Sequence, residues 1–82
     1  MQVNKGEALC EEFCDSFHIG TKLTEEDYLF KRIEEIKCIL DSKFFPELMQ
    51  RMMASGYCCT QVQKDAKKNK CTAWFEEKAE GV

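Results

Sequence analysis

Apolar residues in this chain recur mostly at spacings of three and four. The clearest run is residues 23–40, LTEEDYLFKRIEEIKCIL, where Leu29, Phe30, Ile33, Ile36 and Leu40 share one side of a helical wheel. Thr24 with Asp27 reads as a capping box, and Leu23 with Tyr28 as a hydrophobic staple. Glu25, Glu26 and Asp27 place negative charge at the positive end of a helix dipole. The pattern predicts a central helix here. One residue does not fit it. At about 100° per residue, Cys38 lies opposite Leu29 and Ile33, among Asp27, Lys31, Glu34 and Asp41. Cysteine is usually buried, so on this face it needs a segment crossing over it or a covalent partner.

The same reading gives further helices. Residues 5–18 start at an Asn4/Glu7 capping box and carry Leu9, Phe13 and Phe17 as a stripe, with Cys10 and Cys14 along its edge. His18 suits the C-terminal end and Gly20 a stop. Pro46 fits only a first turn, so a third helix begins near Phe45. Phe45, Leu48, Met49, Met52 and Met53 form its apolar face, and Gly56 ends it. Thr60 with Gln63 opens a fourth helix running to about Lys78. That helix is poorly amphipathic. Val62, Ala66 and Ala73 share one side, while Cys71, Trp74 and Phe75 point largely the other way. No alternating segment is long enough to predict a sheet. The expected fold class is therefore all-α, a single domain over residues 1–82 built as a compact bundle of three to four short helices, with residues 77–82 frayed.

Size and cysteine count add a covalent framework to this picture. A single core in 82 residues supplies only roughly 3–5 kcal/mol, so small folds are often stapled. There are six cysteines, an even number, and proline and glycine are scarce. Disulfides are expected among Cys10, Cys14, Cys38, Cys58, Cys59 and Cys71. Cys10 and Cys14 stand one turn apart and Cys58 and Cys59 are adjacent, so neither is a natural local pair. The preferred arrangement ties Cys10 and Cys14 to the Cys58/Cys59 and Cys71 region, with Cys38 taking the remaining partner there. Each long-loop bridge would add about 2–4 kcal/mol. The rival is a four-thiolate zinc site of Cys10 and Cys14 with two of Cys58, Cys59 and Cys71. It lacks a Cys-x-x-Cys knuckle, so neither a metal nor a cofactor is expected. Six thiols in a reducing compartment would be unusual without a metal, which predicts secretion. No basic, apolar-cored leader is visible, which has two readings: Met1 is the native initiator, favouring a reducing cytosol and free thiols, or it is an added start on a mature secreted chain, the reading the six thiols favour.

The net charge of −3 gives no general attraction to nucleic acid or anionic membrane. No apolar run approaches the ~20 residues of a membrane span. His18 is the only histidine, and a Cys14–His18 pair lacks an orienting group, so no catalytic residues are expected. Trp74 and Phe75, with Lys64, Lys67, Lys68 and Lys70 nearby, are the candidate partner-binding residues. The expected function is that of a small secreted, disulfide-stabilised helical protein. It would bind a protein receptor or other protein target, as a signalling ligand or venom-type effector.

Residues 47–68, ELMQRMMASGYCCTQVQKDAKK, resemble a helix-turn-helix, with Gly56 at the turn and Thr60 capping the second helix. They are also distantly similar to the end of a Myb/SANT-type domain, without the tryptophans of its earlier helices. The resemblance implies Thr60, Gln61, Gln63 and Lys64 in a major groove and Lys67, Lys68 and Lys70 on phosphates. The alternative function is then an intracellular DNA-binding regulator with reduced or metal-bound cysteines.

Overall fold

A computed structural model describes residues 5–26 and 29–77. Helix α1 (Lys5–Phe13) leads into strands β1 (Ser16–Glu26) and β2 (Leu29–Asp41). A single 3-10 turn (Ser42–Phe44) then passes into helix α2 (Phe45–Ala54), followed by β3 (Tyr57–Asp65) and β4 (Lys70–Glu77). The four strands form one sheet in the order β1-β2-β4-β3, with every neighbouring pair antiparallel. Both helices pack on one face of it. The all-α expectation and the helical bundle are overturned.

The correction is instructive in β2. Ile36, Cys38 and Leu40 are fully buried, while Lys37 and Ile39 between them are exposed, which is the period of a strand. Ile33 is buried on the opposite face. Apolar residues on both faces of one strand together imitate the three-and-four spacing of a helix. β4 alternates in the same way: Cys71, Ala73 and Phe75 point inward, and Thr72, Trp74 and Glu76 point outward. As a helix this segment had no coherent face; as a strand it has two. Its β-branched and aromatic residues also suit a pleated surface.

Two helices survive from the expectation, one of them shortened. α1 ends at Phe13, so Phe17 and His18 lie in β1. α2 keeps Pro46 in its first turn, and Gly56 follows it at φ 94°, a conformation that glycine adopts without a Cβ penalty. Leu48 and Met52 of α2 are in the core, Phe45 and Met49 pack at its edge, and Met53 and Phe44 are exposed. The helix-turn-helix is corrected too, because its second helix is β3. The Asn4 cap, the Thr24–Asp27 box and the Leu23–Tyr28 staple involve residues outside those described; of the expected frayed segment 77–82, Glu77 is the last residue of β4 and the rest lies outside those described.

The core lies between the helices and the inward sheet face. It contains Cys10, Ile36, Cys38, Leu40, Leu48, Met52, Tyr57, Cys71, Ala73 and Phe75. Phe13 joins α1 to α2, with the Phe44 ring at 6.5 Å and the Arg51 guanidinium over its face at 5.5 Å. β4 pairs with β2 only along Glu35–Asp41. The far halves of β1 and β2 therefore run on as a two-stranded arm, where Leu23 and Phe30 are 62% and 73% exposed.

Ion pairs tie the strands at both ends. Lys22 of β1 reaches Glu76 of β4 and Glu35 of β2, and Lys70 of β4 reaches Asp15 and, at 2.7 Å, Asp41 of β2. Lys70 holds the Asp41 carboxyl below its ordinary range. Because the folded value is depressed, this stabilisation is present above the unfolded carboxylate value and is lost as pH falls through the folded one. Lys70→Gln is expected to move the Asp41 titration upward, as read by carboxyl-carbon NMR, with little change in stability because both groups are solvated.

Candidate functional site

The inward face of β2 and β4 sets cysteines in an apolar frame. In register, Ile36 faces Phe75, Cys38 faces Ala73 and Leu40 faces Cys71. α1 lies close over this frame because it carries glycine where it crosses. A Cβ on Gly6 would stand 2.8 Å from Ile36 Cδ1 and 2.8 Å from Cζ and Oη of Tyr57. The Tyr57 hydroxyl in turn donates to Glu34 Oε1 at 2.7 Å, fixing the ring under the helix. That approach brings Cys10 of α1 onto Cys38 of β2, with their sulfurs 3.2 Å apart. Just past α1 the backbone keeps one more turn, the Cys14 N–H donating to the Cys10 carbonyl at 2.8 Å. Cys14 therefore lies over the same spot. The Sγ atoms of Cys10, Cys14 and Cys38 all lie within 4.8 Å of one another. Cys10 and Cys38 are fully buried and Cys14 is partly exposed.

The three thiols are chemically unequal. Hydrogen bonding with the Cys14 and then the Cys38 thiol pulls the Cys10 pKa down to about 4, against burial and the nearby Glu34 carboxylate. The Cys14 thiol is pushed up to about 12, first because it donates to Cys10. Cys38 is also pushed up, first by its hydrogen bond with Cys10. Cys10 is thus the sulfur of the three most readily deprotonated. The stability contributed by the depressed Cys10 is present above the unfolded thiol value, about 8.5, and is lost as pH falls through the folded value. Cys14 behaves oppositely. Its contribution is present below the unfolded value and is lost as pH rises through the folded one. The reduced, metal-free protein is expected to keep thiolate ultraviolet absorption at pH 6, and Cys10→Ser to lose it.

All six cysteines are free thiols, so the expected disulfide framework is corrected. Cys38 stands with Cys10 and Cys14, not with the later cysteines. Cys71 is buried at β4, Cys59 half-buried on β3 and Cys58 exposed. The four-thiolate combination of Cys10 and Cys14 with that region is not assembled either. The sequence did hold a signal for the true grouping. Cys38 was out of place on a charged helix face, and alternation with Ile36 and Leu40 puts it inward.

The outward face is uncovered. By register, Trp74 of β4 stands beside Lys37 of β2, whose ammonium lies 5.6 Å from the ring centroid. Ile39 and Thr72 are the next pair along. A hollow of about 170 Å³ is lined by Ser16, Phe17, His18, Lys37 and Ile39. A larger one, about 660 Å³, lies at the β3–β4 turn, where Lys64, Lys67, Lys68 and Lys70 gather with Ile39 and Thr72. Asp65 shapes that turn by accepting from the backbone N–H groups of Lys67 and Lys68. Of the expected partner-binding residues, Trp74, Lys67, Lys68 and Lys70 reach this surface or its turn, whereas Lys64 stands opposite Cys71 on the inward side by register. Phe75 is fully buried and belongs to the core. His18 and the thiols occupy opposite faces of the sheet, since it is Phe17 that pairs with Cys38.

No family model, no curated protein and no solved structure matches the chain. Among the described residues, no helix is long and apolar enough to cross a membrane.

Proposed function

We propose that the protein is a non-catalytic binding module. It takes an acidic segment of a protein target, with an apolar anchor, on the uncovered sheet face. The observation that carries this reading is Ile39, which lines both outward hollows. Through it, the Trp74–Lys37 pair and the lysine-lined turn form one continuous surface, aromatic and apolar at the centre and basic at one end. Aromatic anchors rimmed by charge are what binding centres use. Cation–π contact contributes about 0.5–1 kcal/mol at such an exposed site and holds both side chains in place. A protein segment is favoured over nucleic acid because the centre of the surface is apolar and aromatic and the basic character is confined to one turn.

Trp74 is the only tryptophan, so its fluorescence reports the surface directly. Titration with short acidic peptides, each carrying one leucine or aromatic residue, should saturate and weaken with added salt. A Lys67→Glu/Lys68→Glu double variant is expected to weaken binding by about tenfold. By calorimetry, Trp74→Ala should weaken it by roughly thirtyfold, the scale of a central anchor. Binding to duplex DNA with a steep salt dependence, and none to the peptides, would replace this reading with a nucleic-acid one.

A further inference from the structure

We propose that Cys10, Cys14 and Cys38 together hold one soft, thiolate-seeking metal ion, zinc(II) or copper(I), between α1 and β2. The geometry is the argument. A metal with sulfur ligands at about 2.3 Å requires the sulfurs to lie roughly 3.7–4.0 Å from one another. Here three sulfurs converge within 4.8 Å, and those of Cys10 and Cys38 are 3.2 Å apart. They come from separate layers, one from the helix, one from the turn after it and one from the sheet. Ordinary burial does not bring this about. Cys71 is as buried in the same core and stands outside the group.

Ligand type selects the ion. Three thiolates and no carboxylate or imidazole in the group favour a soft ion over magnesium or calcium. Copper(I) is satisfied by three thiolates. Zinc(II) would add a fourth ligand from outside the group, and the partly exposed Cys14 marks the side from which the ion and such a ligand arrive. The cluster sits on the inward face, so the proposal is independent of the binding surface on the outward one.

The test uses the whole chain, reduced and stripped of metal, with native mass spectrometry and competition titration. Zinc(II) and copper(I) are added in separate arms. One ion per chain in either arm, with a rise in melting temperature, supports the site. The arm that binds names the ion. Cys14→Ser is the informative variant because Cys14 is the least buried of the three and its loss spares the core. It should keep the far-ultraviolet circular dichroism of the parent and lose affinity by about tenfold or more. Cys38→Ser should lose at least as much. A Cys58→Ser/Cys59→Ser double variant should bind as the parent does. The proposal is overturned if neither ion binds stoichiometrically. It is equally overturned if Cys14→Ser binds unchanged, or if the Cys58/Cys59 variant loses the ion.

Discussion

Phe75→Ala is expected to lower the stability of the fold by about 3–5 kcal/mol. A domain of this size has little more than that to lose. Phe75 is fully buried and lies on β4, which hydrogen-bonds to strands on both sides. It faces Ile36 across one ladder and Cys59 across the other. Truncation would open a cavity where helices and sheet meet. Urea denaturation followed by circular dichroism should show an early midpoint or no folded baseline. Trp74→Ala is the control, one residue away and facing out, and it should retain a cooperative transition. Equal losses from the two would mean that the strand does not alternate as described.

Gly6→Val carries the second largest expected effect. Glycine inside a helix normally costs about 0.5–1 kcal/mol, so by local propensity alone the substitution should stabilise α1. Packing opposes this. The new Cβ would meet three heavy atoms at 2.8 Å, and those atoms belong to buried side chains, Ile36 and Tyr57. Overpacking typically costs about 1–3 kcal/mol and should win. The expected result is a net destabilisation of about 1–2 kcal/mol, with α1 displaced from the sheet. Because α1 carries Cys10, the displacement should also part Cys10 from Cys38. That is measurable as faster alkylation of Cys10. A stabilised variant with unchanged thiol reactivity would show that α1 does not lie this close.

The sequence was legible where local chemistry decides structure. α2 could be read from Pro46, Gly56 and the spacing of Leu48 and Met52, because caps and periodicity specify a helix without outside help. Most of α1 could be read from the spacing of Leu9 and Phe13. The sheet could not. In β2, Ile33 serves one face while Ile36, Cys38 and Leu40 serve the other, and the sum passes for a helical stripe. Two of the pairings are local hairpins, but the β2–β4 pairing that joins them is a matter of residues some 30 to 40 positions apart, and composition does not encode it. The thiol grouping was hidden for the same reason. Cys10 and Cys14 announce themselves by spacing, whereas Cys38 joins them only once β2 is recognised as a strand.

The thiol grouping also bears on compartment. The expectation of secretion rested on six thiols being unusual in a reducing environment unless a metal holds them. A metal held by Cys10, Cys14 and Cys38 would meet that condition, leaving Cys58, Cys59 and Cys71 as ordinary thiols. Metal content of the natively purified protein therefore speaks to location as well as to chemistry.

The strand order has a consequence for how the chain is made. β4 is the last of the four strands in sequence, yet it sits between β2 and β3. During synthesis β1 and β2 leave the ribosome as a hairpin whose inner edge, along Glu35–Asp41, has nothing to pair with until β4 follows. A chain truncated before Lys70 would hold two unjoined halves and a strand edge open to other chains. Such truncated chains should be protease-sensitive and prone to association, and resistance should return only when β4 is present.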